Sequence, residues 1–474
     1  MKRIWLALTA FTAGVWLLVL RRGLRKPKSE ALMPQSVYEP APTYIPAPVE
    51  LSLSLSSLVR DQQQTRRLLQ NAGLAVFGVI VGLLIVWLGA RVFLPPRPQP
   101  QLAVPSVAVE GCEPAPGDWA AGVSAAGLVL SPCRDYFWRD TPFDEFYYNV
   151  QLNNLGLHDT MLTLEKPAGV FRILVVGDSY PAGEEVPLTN GFPYLLERQL
   201  RLENDGSRSP VEVINLSVPA IGTDRELLLY AGLGWRFQAD VVVLCVYTGN
   251  DIQDNDIAME QLRYGYRLNR PFFTFENGAL QLHNSQITLD AQLFPDSPAW
   301  QWFANMQAQQ TTTPTENVPT RPLVISRDPY VLEYPVELGI YLPADDYWTR
   351  AWSLTEQLLL QFRTLVEAQG SRFAVMIIPD RRAVHQEDWE ATLQDFPIAQ
   401  GGNPLGPVAR LALFTQQNGI AVLNLTTALR TQVSESPQLR LYYAGDGHLN
   451  VPGHFVAAQA LHDWLQEQGL LPTQ

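Results

Sequence analysis

From about Val170 onward, short aliphatic runs alternate with amphipathic stretches along the chain. The aliphatic runs are unbroken, which is typical of strands buried on both faces of a parallel sheet. The amphipathic stretches have the spacing of helices that cover such a sheet. Strands are predicted at residues 171–176, 211–215, 241–247, 373–378 and 420–425, and helices at 192–202, 225–237, 347–369, 405–417 and 451–468. The alternation predicts an α/β fold with helices on both sides of the sheet.

Three regions lie outside this alternation. Residues 256–344 are rich in aromatic residues and proline, and we interpret them as an insertion near the strand ends that could wall or cap a cleft. Residues 95–105 form a proline-rich spacer, which is expected to be extended. Residues 111–166 carry scattered aromatics and are predicted to be a small β-rich lead-in packed on the main domain.

The first hundred residues contain two long apolar runs, at about 4–20 and 72–94. Each has the length needed to span a bilayer as a helix. A signal peptide is the alternative for the first run, but basic residues follow it directly, without a small-residue cleavage site. A pair of core helices in a soluble protein is the other alternative. The predicted domains are therefore a membrane anchor at 1–94, a linker and lead-in at 95–169, and a main domain at 170–474.

Basic residues concentrate between the two apolar runs, from Arg21 to Arg67. The positive-inside rule then places this loop in the cytoplasm and everything after about Leu94 outside it. The chain is thus predicted to be a two-pass protein of the cell membrane whose main domain is extracytoplasmic.

Composition agrees with a membrane segment and excludes some partners. Charged residues make up 17% of the 474 residues and hydrophobic residues 47%, as expected when part of the chain lies in lipid. The formal net charge of −13 argues against a nucleic-acid partner, which requires a basic face.

The three cysteines form no Cys-x-x-Cys pair and the histidines no paired spacing, so a structural metal is not expected. No cofactor is predicted. Cys245 lies inside an apolar run and is interpreted as a buried small hydrophobe. Cys112 and Cys133 flank a loop-rich stretch and are candidates for a disulfide if that part faces an oxidising compartment.

The candidate chemistry is centred on Ser179, which follows the first predicted strand in the turn Gly177-Asp178-Ser179. A small-residue turn between a strand and a helix lies at the carboxyl edge of the sheet, where open α/β folds bind ligands. Helical N–H groups there favour developing negative charge, so the hydroxyl is well placed for a nucleophile. The alternative is that Ser179 only caps a helix.

Three further stretches follow strands or precede the last helix. Asn215 opens a loop that can direct a backbone N–H inward, and the turn Gly249-Asn250-Asp251 presents an amide. Asp446-Gly447-His448 offers an acid and an imidazole. A hydroxyl nucleophile needs a base with an orienting partner, and the oxyanion that forms needs fixed donors.

In this order, the four stretches resemble the signature blocks of the SGNH/GDSL hydrolases over about residues 170–468. The resemblance implies a flavodoxin-like three-layer α/β/α sandwich, serine esterase chemistry and no metal. It also implies that Ser179 is the nucleophile, His448 the base and Asp446 the orienting acid. Asn250, the Ser179 N–H and a donor from the second block would form the oxyanion hole.

The sequence departs from the family pattern at two positions. The usual acid stands three residues before the histidine, where this chain has Gly445, so Asp446 is the predicted acid and Asp380 the reserve. The usual oxyanion glycine is here Ala220, with Gly222 two residues further on. We rank Ala220 above Gly222, on the condition that its φ is not positive.

The sequence therefore predicts a membrane-anchored esterase that acts on an acylated glycan or a small ester, with O-acetyl groups of an envelope glycan as the first candidate. The alternatives are an acyltransferase that uses the same triad on an extracytoplasmic polysaccharide, and a catalytically idle envelope scaffold. The substrate prediction follows from the family resemblance and the location alone.

Overall fold

The computed structural model describes Gly82 and residues 107–140, 143–204, 206–264, 269–310 and 336–472. The predicted membrane segments lie outside these residues, apart from Gly82, and stay predictions. No helix within the described residues has the length and apolar content needed to cross a membrane. The chain divides into two units between Gln101 and Leu102, and nearly all the described residues belong to the second.

The lead-in is a small three-stranded antiparallel sheet with one helix. Its elements are β1 (Val107–Ala108), α1 (Trp119–Ala125), β2 (Arg134–Arg139) and β3 (Tyr147–Gln151). A disulfide joins Cys112, after β1, to Cys133, just before β2. Two of the three strands, β2 and β3, lie within residues 111–166, where the sequence predicts a β-rich segment.

The remaining elements follow in chain order. The strands are β4 (Phe171–Gly177), β5 (Val211–Ser217), β6 (Val241–Tyr247), β7 (Phe272–Glu276), β8 (Ala279–His283), β9 (Arg372–Ile378) and β10 (Ala421–Asn424). The helices are α2 (Ser179–Ala182), α3 (Phe192–Glu203), α4 (Thr223–Gly232), α5 (Asp251–Asp254), α6 (Ile257–Tyr264), α7 (Pro298–Gln309), α8 (Asp346–Ala368), α9 (Gln386–Asp395), α10 (Gly406–Gln417), α11 (Thr426–Glu435) and α12 (Val451–Glu467).

Five strands form a parallel sheet in the order β10-β9-β6-β4-β5, which confirms the predicted α/β fold with a parallel sheet. This is the strand order of flavodoxin-like folds. Strand β5 lies on one side of β4, and the next strand along the chain, β6, lies on its other side. The switch point between β4 and β6 is where such sheets bind ligands, and Ser179 and Asn250 directly follow these two strands.

Alternate residues of each strand face opposite helix layers. Ile173 and Val175 of β4 pack in a cluster with apolar residues of α3, α11 and α12. Leu174 and Val176 pack in the other cluster, with apolar residues of α4, α7 and α8. Because both faces are covered, the strands consist of nearly continuous aliphatic residues, as the sequence pattern indicated.

The described part of the insertion belongs to one helix layer. Helix α7 packs against α4 and α8, and the β7–β8 hairpin also contacts α8. Buried Arg270 joins the insertion to this layer, since its guanidinium bonds Asp224 of α4 and Glu260 of α6, each at 2.6 Å. The expectation that the insertion walls a cleft stays a prediction for residues 311–335, which lie outside the described residues.

Helix α1 holds the lead-in against the main domain. Gly122 of α1 and Gly232 of α4 bring their backbones into direct contact, because a Cβ atom on either would overlap the carbonyl group of the other. Further along, Asp159 accepts the Asn215 N–H of β5 at 2.9 Å. The lead-in therefore approaches the sheet close to the carboxyl ends of its strands.

Candidate active site

The serine turn is shaped by its neighbours. A Cβ at Gly177 would lie 2.5 Å from Pro181 Cγ, so the sharp exit from β4 requires glycine. Asp178 caps the short helix α2, accepting the Tyr180 N–H at 3.0 Å. Ser179 is the first helical residue, and its side chain is partly accessible. Burial raises the pKa of Asp178 to about 6, although the Tyr180 N–H and His448 favour its ionised form.

Three of the predicted residues meet at hydrogen-bonding distance. His448 Nε2 lies 2.8 Å from Ser179 Oγ, and His448 Nδ1 lies 2.6 Å from Asp446 Oδ1. The same carboxylate oxygen accepts the His448 backbone N–H at 3.1 Å. Burial alone would raise the pKa of Asp446, but its hydrogen bonds with His448 lower it, so the acid is ionised.

A tight turn before α12 places the acid and the base. The Gly447 N–H donates to the Tyr443 carbonyl at 3.1 Å, and the Tyr443 N–H donates to the His448 carbonyl at 2.9 Å. Gly447 has a φ of 99°, a conformation that glycine adopts without strain. The turn directs both the Asp446 and the His448 side chains toward the serine.

The lead-in holds this turn from the other side. The Glu145 carboxylate accepts three consecutive backbone N–H groups, those of Ala444, Gly445 and Asp446, at 2.8, 2.9 and 2.9 Å. The Phe143 ring packs on Gly445, and a side chain at that position would have to displace it. The turn is thus held against the lead-in at residue 445, and the Asp446 side chain reaches the imidazole.

A second carboxylate faces the imidazole. Glu185, which is buried, has Oε1 3.6 Å from His448 Nδ1. Burial alone would lower the pKa of His448, but Glu185, Asp446 and Asp178 raise it to about 9. Burial raises the pKa of Glu185 itself to about 7. The base is therefore set in a strongly anionic environment.

The predicted oxyanion donors are less completely placed. Asn250 is buried, and its amide donates to Asp254 at 3.1 Å. Ala220 has a φ of 60° and is exposed, so it does not meet the condition on which it was preferred. Gly222 has a φ of −104° and immediately precedes α4, and a Cβ on it would lie 2.9 Å from Asn255 Oδ1. This reverses the predicted order of Ala220 and Gly222.

The reserve acid Asp380 is not at the imidazole. It accepts the Tyr247 hydroxyl at 2.9 Å and pairs with Arg382 at 3.2 Å. Tyr247 stacks on Tyr180, with ring centroids 3.7 Å apart, and Tyr180 in turn contacts the His448 ring. Asp380 thus supports the aromatic floor of the site. Within the described residues, no His, Cys, Asp and Glu cluster is arranged to hold a metal.

Sequence reasoning missed Glu145 and Glu185. Glu185 follows α2 by only three residues, so its closeness to Ser179 in sequence was a usable signal. Glu145 is 300 residues from Gly445 and bonds backbone groups, so no side-chain pattern marks it.

Neither a protein-family model nor a curated protein matches this sequence. Solved structures similar to it include TesA, with 11% identity over 62% of this chain and 98% of that one, at a TM-score of 0.31. An acetylxylan esterase from Geobacillus stearothermophilus has 11% identity over 65% of this chain and 97% of its own, at a TM-score of 0.32. A protein described as a GDSL-like lipase, from Parabacteroides merdae, is 11% identical over 65% of this chain and 100% of its own length, with a TM-score of 0.32.

The esterase and the lipase are named for ester hydrolysis, as is the family that the four sequence blocks resemble. Because the identities and TM-scores are so low, the likeness carries no argument about activity. The functional conclusion rests on the geometry around Ser179.

Proposed function

We propose that this protein is a serine ester hydrolase with Ser179 as nucleophile, His448 as general base and Asp446 as orienting acid. The observation that carries the proposal is the continuous contact from Ser179 Oγ through the imidazole to the Asp446 carboxylate, at 2.8 and 2.6 Å. A hydroxyl, an imidazole and a carboxylate joined in this way are the parts that nucleophilic acyl transfer needs.

In the first half of the reaction, Ser179 Oγ bonds to the acyl carbon while its proton passes to His448 Nε2. The C–O bond to the alcohol then breaks, and the alcohol leaves with that proton. In the second half, water attacks the acyl-enzyme and His448 accepts its proton, which then returns to Ser179 as the carboxylic acid leaves. The Ser179 N–H, the Asn250 amide and the Gly222 N–H are the proposed oxyanion donors.

The test uses the full-length protein and 4-nitrophenyl acetate. We expect hydrolysis by the parent and a loss of roughly a thousandfold or more in kcat for both Ser179→Ala and His448→Ala, because members of a triad act as a unit. Asp446→Asn is expected to lose activity by a comparable order, since the imidazole would lose its orienting partner.

Asp380→Asn is the matched control, because it makes the same chemical change at the reserve acid. It should retain activity within a few-fold of the parent. An equal loss in Asp380→Asn and Asp446→Asn would contradict the assignment of the acid. Equal slow rates in the parent and all variants would favour an idle scaffold, and transfer to an added sugar faster than hydrolysis would favour an acyltransferase.

We further propose that the substrate is an acylated glycan or small ester at the cell envelope, with O-acetyl groups as the first candidate. In this proposal the two N-terminal apolar segments anchor the protein in the membrane and residues after about 94 are extracytoplasmic. The charge pattern of the loop between the segments supports this orientation. The Cys112–Cys133 disulfide supports an oxidising compartment.

A further inference from the structure

A cavity of about 340 Å³ lies between the lead-in and the carboxyl edge of the sheet. Its volume is at the lower end of the range, roughly 300 to 1,000 Å³, that small-molecule sites have. Polar groups from both parts of the molecule line it: Arg134, Tyr136, His158, Glu184 and Ser217.

Two residues that line the cavity, Glu184 and Ser217, are neighbours of residues at the serine site. Glu184 lines the cavity, and the next residue, Glu185, faces His448 at 3.6 Å. Ser217 also lines the cavity and pairs in register with Gly177, two residues before the nucleophile. A substrate bound through its ester at Ser179 would therefore have its neighbouring groups close to this space.

Arg134 provides the positive charge of the cavity. It lies on β2 with Tyr136, two residues away, so both side chains leave the strand on the same face. Within the described part of the chain, the Arg134 guanidinium has no hydrogen bond or ion pair. Arg139, at the other end of the same strand, is paired with Asp144 at 2.7 Å. Arg134 is thus available to bind a ligand anion.

The other polar groups of the cavity are suited to hydroxyls. The Ser217 hydroxyl is buried and has no partner among the described residues. His158 Nδ1 donates to the Ala182 carbonyl at 3.0 Å, and burial lowers the pKa of the ring, so Nε2 is left as an acceptor. Burial raises the pKa of Glu184, which favours its neutral, hydrogen-bond-donating form.

We propose that this cavity is a subsite for a singly charged, hydroxyl-bearing acid group of the substrate, such as a sugar acid. Arg134 binds its carboxylate, and Ser217, Tyr136 and His158 bind its hydroxyls. A doubly charged phosphate is disfavoured, because Arg134 is the one cationic side chain among the described residues that line the cavity and would leave the second charge uncompensated. That this group belongs to the ester substrate rests on the proposed hydrolase function; that the cavity binds it does not.

The test is calorimetric titration of the full-length Ser179→Ala protein, which binds without turnover. Sodium glucuronate is the probe, and glucose is the uncharged comparison. We expect glucuronate to bind at least about tenfold more tightly than glucose, because a charge-assisted bond to arginine is among the stronger hydrogen bonds. Adding Arg134→Gln should remove most of this difference, and Arg134→Lys should keep part of it, since lysine keeps the charge but not the planar fork.

Arg139→Gln is the control, because it removes an arginine from the same strand but outside the cavity; glucuronate affinity should not change. Equal affinity for glucuronate and glucose, absence of glucuronate binding, or an equal loss in Arg139→Gln would overturn the proposal. Tighter binding of glucose 6-phosphate than of glucuronate would overturn the single-charge assignment. If glucuronate binds through Arg134 but 4-nitrophenyl acetate is not hydrolysed, the subsite stands and the hydrolase function fails.

Discussion

At the residue scale, His448 is surrounded by groups that differ in charge. Asp446 and Glu185 face its Nδ1 edge, at 2.6 and 3.6 Å, and Asp178 adds a third negative charge. The nearby His454 is buried, and its pKa is lowered to about 3, so it is neutral. The Tyr180 ring covers one side of the imidazole. The carboxylates therefore stabilise the protonated form of His448, and this form cannot act as a base.

This arrangement predicts an alkaline pH dependence that Glu185 controls. A general base must be neutral, and the pKa of His448 is about 9, so kcat/KM should rise with pH up to that range. Glu185→Gln removes one anion beside the imidazolium, which lowers the pKa of His448. The acidic limb of the kcat/KM profile should then shift to lower pH, by about one pH unit or more.

The difference in kcat/KM between the parent and Glu185→Gln should be largest above pH 7, where Glu185 of the parent is ionised. The measurement is the pH profile of 4-nitrophenyl acetate hydrolysis, together with an NMR titration of the His448 ring. Glu390→Gln is the matched control, because the Glu390 carboxylate accepts a hydrogen bond from Gln386 within α9 and does not face the imidazole; its acidic limb should stay where the parent's is. An unchanged or upward-shifted limb in Glu185→Gln would refute this role for Glu185.

At the scale of elements, the turn before α12 depends on the lead-in. Three backbone N–H groups of residues 444–446 share one carboxylate, that of Glu145. Hydrogen bonds to an ionised acceptor are about twice as strong as neutral ones. Because Asp446 is one of the three residues held, Glu145 acts on the reaction as a positioning residue.

We expect Glu145→Gln to lower kcat on the order of 10- to 100-fold, because small displacements of catalytic groups have effects of this size. KM should change little, since Glu145 does not touch the substrate site. Asp144→Asn is the control: Asp144 is the neighbouring acid, bonds Arg139, and has a φ of 59°, which asparagine tolerates. An equal loss in Asp144→Asn, or a rise in KM alone, would rule out the positioning role.

The five strands of the parallel sheet and five of the helices that cover it could be predicted from the sequence. The aliphatic runs located β4, β6 and β9 to within about a residue, because strands buried on both faces consist almost entirely of aliphatic residues. The helix predicted at 225–237 is instead divided, since α4 ends at Gly232 and a 3₁₀ turn follows at Gly234–Phe237. Among the described helices of residues 170–474 outside the insertion, α2, α5, α9 and α11 were not predicted.

The triad residues were also predictable, because each lies at a strand end or a turn that the pattern located. What could not be predicted were contacts between distant segments. The left-handed backbone of Ala220 has no sequence signal, since alanine rarely adopts it. Arg134 and Arg139 look alike in the sequence, but Arg139 pairs with Asp144, whereas Arg134 has no partner within the described residues.

At the scale of the whole molecule, the proposed orientation across the membrane can be tested by labelling. Cys112 and Cys133 are bonded and Cys245 is buried, so the parent should give little background. Leu202→Cys places a thiol on the surface of α3, where Leu202 is 77% exposed. In sealed right-side-out vesicles, a membrane-impermeant maleimide should label this variant.

Ser56→Cys, in the predicted cytoplasmic loop, is the paired variant and should be labelled only after the vesicles are opened. The reverse pattern would place the sheet domain inside the cell. In that case the chemistry at Ser179 would be unaffected, but an envelope substrate would be excluded.

The contacts of Glu145 with residues 444–446 also bear on how such a protein can evolve. The segment that steadies the acid is encoded before the first strand of the main sheet, and the acid is encoded near the end of the chain. Gene exchange that replaced the sheet domain without the preceding segment would separate the two partners. Because Glu145 bonds this turn and Phe143 packs on it, we expect residues 107–165 and the sheet domain to be inherited together.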